Sequence, residues 1–219
     1  MKKVRRESLV KALALSGSLA LGVLFLTAPS ASGQTVIEEW ATVKAPMPPE
    51  VKAVALDPAS TALLLLDFNK QTCNLQFRPR CIASIPKVEK LLARARARNV
   101  AVIYSLSSGA VAGDIAKELA PQPGEPVVTS GPDKFLLTDL ENILREKQIK
   151  TVIVTGTASH GAVLYTASEA AFRGMKVIVP VDGMSAEVLY AEQYVAWHLV
   201  NAPRVSTQTT LSKTDMIAF

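Results

Sequence analysis

The chain has 219 residues, 49% of them hydrophobic, with two cysteines, two histidines and a formal net charge of +5. Residues 1–33 hold five basic side chains (Lys2, Lys3, Arg5, Arg6, Lys11) and one acid (Glu7), so +4 of that charge lies there and the other 186 residues carry +1. A remainder so close to neutral excludes a basic footprint for nucleic acid, and its length suits one domain with a core of ordinary size.

The charged start, the apolar run Ala12 to Ala28 and the small residues Ser30 to Gly33 describe an export signal over residues 1–33. A periplasmic or secreted protein is therefore expected. The run is about as long as a short membrane span, so a membrane is met only through this segment if it stays uncleaved. Arg5-Arg6 with Leu9 hints at twin-arginine export, from whose pattern Ser8 departs.

Residues 34–60, with Pro46, Pro48, Pro49 and Pro58 and little periodicity, read as an extended N-terminal arm, and residues 61–219 as the domain. Thr61 to Asp67 (TALLLLD) is a continuous apolar run of strand length, which suits a strand covered on both faces. Cys73 and Cys81 lie in a polar loop after it. In an oxidising compartment the leading expectation is a disulfide, contributing about 2.5 kcal/mol in the chain-entropy model. Two unpaired thiols are the alternative.

Ile85 to Arg98 has Val88, Leu91, Leu92 and Ala95 on one face, an amphipathic helix. Val100 to Leu106 is a second buried strand, followed by a short helix at Asp114 to Leu119 and a weak strand at Pro126 to Thr129. Thr138 to Glu141 has a capping-box pattern for a helix to about Lys147. A strand at Thr151 to Thr155 leads through a glycine turn into a helix from Gly161 to Phe172, closed by Gly174. Met175 to Val181 is the next strand. Ser185 to Leu199 reads as a long helix with Tyr190, Tyr194 and Trp197 as a packing stripe, and Val205 to Gln208 as a last strand. Strands alternating with helices predict an α/β fold: three α/β/α layers around a mostly parallel, six-stranded sheet of Rossmann-like architecture.

Such sheets bind ligands beyond the carboxyl ends of their strands. That rule selects Asp67 to Asn69, Ser105 to Ser108 and Gly156 to Ala162. Asp67 follows four leucines, and a carboxylate at a buried strand end needs a partner or a task; a turn-initiating role is the alternative. Alone, Lys134 in SGPDKF reads as a surface lysine, His160 as a turn residue and Asp182 as a turn or cap residue. Gly156 and Gly161 have the outer spacing of a phosphate loop, but Ala162 and Val163 stand where Lys and Ser/Thr are required. Ser159 is in no G-x-S-x-G elbow. His160 and His198 are the only histidines and lack ligand-like pairing. Neither a metal nor another cofactor is expected.

Together these residues resemble the isochorismatase-like hydrolases, also called cysteine hydrolases. The resemblance rests on the strand ending in Asp67 with Phe68-Asn69, the triplet Asp133-Lys134-Phe135, the stretch TVIVTGTASHGAVLYTASEA, and RGMKVIVPVDGMSA with Asp182. It implies a site in which Asp67 and Lys134 fill two of three catalytic positions and Ala162 stands where the nucleophilic cysteine is expected. It also implies a cis peptide between Thr157 and Ala158, and substrate contacts from Phe68, Asn69, Phe135, Ser159, His160 and Gly161. The departure at Ala162 argues against thioester chemistry. Members that hydrolyse a vinyl ether use an acid centred on the Asp and need no thiol. The resemblance further implies a small-molecule substrate or ligand and a homo-oligomer. Phe68 to Gln71 offer no counterparts to the metal-binding histidines of the nicotinamidase branch.

Overall fold

The computed structural model describes residues 35–219, so the expected export signal lies outside the described residues. The chain divides at Pro46/Met47 into two units. In the first, a one-turn helix α1 (Val36–Glu39) is opened by Thr35, whose side chain accepts from the N–H of Ile37 while Glu38 accepts from the N–H of Thr35. This reciprocal cap makes a helix where an extended arm is expected.

In the second unit, β1 (Val54–Ala55) pairs in parallel with the last strand, β9 (Ile217–Ala218). The N–H of Lys52 donates to Leu211 O at 2.9 Å and that of Leu56 to Ala218 O at 2.9 Å. Residues 47–60 thus fall in one compact unit with residues 61–219.

The main sheet is built from β2 (Thr61–Leu66), β3 (Ala101–Leu106), β4 (Val127–Thr129), β5 (Thr151–Thr157), β6 (Lys176–Pro180), β7 (Met184–Ser185) and β8 (Thr209–Ser212). Six lie side by side in the order β4-β3-β2-β5-β6-β8, and β7 pairs with the far end of β5. Every ladder of this sheet is parallel. The apolar run of β2 is buried throughout and alternates faces as a strand must. Ala62, Leu64 and Leu66 join one core, and Leu63 and Leu65 the other. Burial of each leucine stabilises by about 2 kcal/mol.

Helix α2 (Pro79–Ala97) covers the second face with Ile85, Val88, Leu91, Leu92 and Ala95. Helices α3 (Leu140–Glu146), α4 (Leu164–Phe172) and α5 (Leu189–Asn201) supply the first core with Leu140, Leu144, Ala167, Ala170, Val195 and Leu199. The result is the expected three-layer α/β/α arrangement.

Several boundaries differ from the sequence expectation. Helix α2 starts at Pro79, not Ile85, because a proline fits the first helical position, where no N–H is needed. It therefore takes in Cys81 and tolerates Pro86. The capping box at Thr138 to Glu141 does not form: Asp139 is the N-cap, and Glu141 pairs with Arg173 at 2.9 Å. The helix expected from Gly161 opens instead as a π turn, Ser159–Val163, before α4. Met184 and Ser185 are drawn into β7, so α5 begins at Leu189. Its buried stripe is Ala191, Val195 and Leu199, whereas Tyr190 is 71% exposed and Trp197 42%. The aromatic side chains are too large for the space that the alanines fill. The last sheet strand is Thr209–Ser212, because Val205 to Gln208 turn back on themselves through the bond from Gln208 N to Val205 O.

Gly156, at the end of β5, has φ +134°, and a Cβ there would lie 2.2 Å from the carbonyl oxygen of Leu66. A side chain would therefore push β5 away from the residue just before Asp67. Gly156→Ala is expected to destabilise by roughly 3 kcal/mol or more, measured by urea unfolding. Wild-type stability would show that β2 and β5 need not approach so closely.

Candidate functional site

The strand order reverses between β2 and β5: the chain moves from β2 to β3 and β4 on one side, then returns to β5, β6 and β8 on the other. A crevice opens at the carboxyl ends of strands at such a reversal. Asp67 stands there, directly after β2.

Asp67 leaves the strand with φ 56°, a left-handed conformation that a short polar side chain tolerates better than most. Its N–H still reaches Ser105 O on β3 at 3.1 Å. Oδ1 accepts from the Ser105 hydroxyl at 2.7 Å and Oδ2 from Lys134 Nζ at 2.7 Å. Lys134 Nζ also donates to Gly131 O at 2.8 Å and Ser130 O at 3.4 Å, so its three protons have three acceptors. Lys134 is 0% exposed and Asp67 5%. The solvated-lysine alternative therefore does not hold, and Asp67 has a partner at close range.

The loop carrying Lys134 lies against the β5–α4 turn. Its backbone N–H donates to Thr166 Oγ1 on α4 at 3.3 Å, and the Cβ of Pro132 is 3.9 Å from where a Gly161 Cβ would stand. Ala162, buried at 3% exposure, lies one helical turn before Thr166. The peptide Thr157–Ala158 is cis. Beyond it, the N–H of Gly161, expected near an anion site, donates instead to Ala158 O at 3.0 Å, as does that of Val163 at 3.3 Å, while those of Ser159 and His160 donate to no turn or loop carbonyl among the described residues. They stand as free donors at the start of the π turn, a kind of turn common at functional sites.

The other expected contacts separate. Phe135 is buried in the same core as Ala162, with the Arg173 guanidinium 4.4 Å over its ring. Phe68 is buried in the opposite core, under α2. Asn69 is 0% exposed and pins loops together: Nδ2 donates to Gln71 Oε1 and Ser107 Oγ, and Oδ1 accepts from Ser107 N. Gly161 is half-buried and His160 exposed. Among the described residues, neither Ser159 Oγ nor Ser185 Oγ, both buried, has a hydrogen-bond partner, and Ser185 pairs by backbone register with Thr157. Asp182 accepts from the N–H of Thr214 at 2.8 Å, a loop-fixing role. Cys73 and Cys81 are joined in a disulfide, which ties the loop after Asp67 to the first turn of α2. Among the described residues no three His, Cys, Asp or Glu side chains are grouped to hold a metal ion, and no helix is long and apolar enough to cross a membrane.

Ser105, already selected as a strand-end residue, sits one residue before the end of β3, in register with Leu66. Thr166 had a weaker signal, one turn after Ala162. Glu187 and Arg78, which meet at the rim of the site, had none.

A model of the isochorismatase domain matches residues 61–211, more than half of the chain. The chain belongs to the isochorismatase family. A secreted isochorismatase effector of Verticillium dahliae is 33% identical over an alignment of 113 positions that covers 47% of this chain and 60% of that relative's length. Among solved structures, an isochorismatase family protein from Burkholderia thailandensis has a TM-score of 0.66 at 23% identity, covering 76% of this chain and 97% of its own. An isochorismatase-like hydrolase from Alkaliphilus metalliredigens has 0.64 at 25% identity, covering 71% and 95%. These share the isochorismatase-like fold.

Two consequences of the geometry are testable. Removing one member of the buried pair strands the other, so Lys134→Met is expected to destabilise by about 3–5 kcal/mol. Removing both charges, in Asp67→Leu with Lys134→Met, should cost less than Lys134→Met alone, by thermal or urea unfolding. A double variant as unstable as the sum of the singles would mean that the pair is not the cause.

The second concerns pH. Lys70 at 2.7 Å, then Gln71, then the N–H of Val111 hold the Asp114 carboxyl down to about 2 from an ordinary 3.8. A lowered folded value stabilises above the unfolded value and ceases to do so as pH falls through the folded one. The tie between the loops at 70 and 111 should thus persist well below pH 3.8 and loosen towards pH 2. Carboxyl NMR titration of Asp114 checks this, and an ordinary midpoint would refute it.

Proposed function

We propose that this protein is an exported hydrolase of a small organic molecule, working by proton transfer at Asp67 without a thiol nucleophile. The observation that carries the proposal is the buried Asp67–Lys134 pair at the switch point, beside a turn in which Ala162 occupies the expected nucleophile position. Both cysteines are engaged with each other, so neither offers a thiol. The likeness to a secreted relative supports export by residues 1–33 to the periplasm or beyond.

In this scheme Asp67, with Lys134 as its electrostatic partner at 2.7 Å, takes up a proton from solvent and passes it to the substrate. For a vinyl ether the proton adds to the terminal enol carbon, and water attacks the resulting oxocarbenium carbon. The hemiketal then collapses to a carbonyl compound and an alcohol. The water's protons replace the one donated and protonate the departing alkoxide. Ser105 holds the carboxyl's orientation, and the free N–H groups of the π turn receive negative charge on the substrate. The domain is taken to act as a homo-oligomer without a cofactor.

A second reading, a family member that binds a small anion without turnover, is favoured by Ala162 itself, since the position has no reacting atom. Turnover of a panel of small vinyl ethers, esters and amides, lost by roughly 10²-fold or more in Asp67→Asn, supports the hydrolase. Ligand-induced thermal stabilisation without turnover supports the binder instead. In parallel, the thiol of Ala162→Cys should alkylate about tenfold faster than free cysteine at neutral pH, because the turn's N–H groups and Lys134 favour the thiolate. A sluggish, inaccessible thiol would refute an open site.

A further inference from the structure

One carboxylate joins segments that are remote in sequence. Glu187, between β7 and α5, accepts from Arg78 Nε at 2.5 Å. The same guanidinium donates through Nη1 to the carbonyl of Thr72 at 3.2 Å. The Thr72 hydroxyl donates back to the carbonyls of Asp67 and Asn69. On the opposite side, Nε2 of His160 lies 4.0 Å from Glu187 Oε2, within ion-pair range though beyond a direct hydrogen bond. Partial burial raises the Glu187 carboxyl, but its own backbone N–H and the Arg78 guanidinium outweigh this and hold it below the usual range. The geometry therefore runs in one chain from the Asp67 loop through Thr72, Arg78 and Glu187 to the turn at His160.

We infer that Glu187 and Arg78 are positioning residues, a clasp that fixes the Asp67 loop relative to the β5–α4 turn. The inference rests on the site proposed above and adds to it the device that sets its width. A neighbouring pair, Arg80 on α2 with Glu192 on α5, whose Oε1 also accepts from the N–H of Ala186, braces the same corner but bonds to neither the Asp67 loop nor the 159–163 turn. The Cys73–Cys81 disulfide joins the same loop to α2, in the layer beneath, and leaves its distance from residues 159–163 unset. The Lys134 bonds hold Asp67 to the 130–134 loop and involve neither Arg78 nor Glu187. A guanidinium–carboxylate contact in which Nε and Nη2 both lie 2.5 Å from Glu187 Oε1 suits the task because two donors converging on one oxygen fix direction as well as distance.

The test uses the full chain with two readouts. In the Ala162→Cys background, the rate of alkylation by iodoacetamide reports the environment of the turn. Amide exchange over residues 67–73 and 158–163, measured without the reporter thiol, reports both sides of the clasp. Glu187→Gln is expected to speed exchange in both segments by roughly fivefold and to shift the alkylation rate by a similar factor, with the melting temperature little changed. Arg78→Lys, which keeps the charge and loses the fork, should recover part of each effect relative to Arg78→Ala. Arg78→Ala and Glu187→Ala should be strongly non-additive when combined. Wild-type exchange in Glu187→Gln, or single effects that simply add, would overturn the clasp. So would a loss of global stability with no selective change at the two segments. A slow thiol in Ala162→Cys alone counts against the hydrolase site, and the exchange measurements then decide the clasp independently.

Discussion

An ammonium wholly withdrawn from water must have all three protons accepted, and a carboxylate beside it must have its charge met; neither condition is satisfied cheaply at a strand end. Asp67 and Lys134 satisfy both together, and much of the site's architecture follows. The 130–134 loop must present two carbonyls to Nζ, which folds it tightly under its own lysine. Its backbone then meets Thr166, so α4 and the turn leading into it are fixed against the same pair. Ser105 takes the remaining carboxylate oxygen and ties in β3. One ion pair thereby gathers a strand end, a loop, a helix and a neighbouring strand around a single point.

The pair meets the β5–α4 turn at all because β2 and β5 approach closely. Leu66 pairs in register with Gly156, and the missing side chain there lets the two backbones touch one residue before Asp67. The parallel arrangement sends every strand's carboxyl end to the same rim. A topology reversal between β2 and β5 then opens the crevice at these two ends and nowhere nearer the edges. The core and the site are therefore consequences of one register.

Much of this was legible in the chain. Four consecutive leucines suit a strand buried on both faces, and an acid directly after them suits the rim of a parallel sheet. The distance from Gly156 places Ala162 on the turn. Other features depend on relations that no single segment carries. Lys134 looks like a surface lysine until the loop's own carbonyls are counted. The stripe of Tyr190, Tyr194 and Trp197 has helical spacing, yet so does Ala191, Val195 and Leu199, and only the tight fit of α5 on the sheet decides between them. The box at Thr138 fails because Arg173, remote in sequence, competes for Glu141. Glu187 has no local signature, since its meaning lies in an arginine more than a hundred residues earlier.

The pairing of β1 with β9 has a consequence for the path of the chain. Strands in a ladder lie about 4.8 Å apart, and here the first and last strands of the domain are each other's neighbours. The polypeptide is thus nearly a closed ring, secured at its seam by two short strands and by the bond from Leu56 to Ala218. A ring can be opened elsewhere: with a short linker across the seam, new ends cut into an exposed loop would leave every strand of the main sheet in its present order. The same closure reaches into the interior, because Ile217 of the seam is buried in the core under α2 and Lys52 bonds to Leu211 of β8.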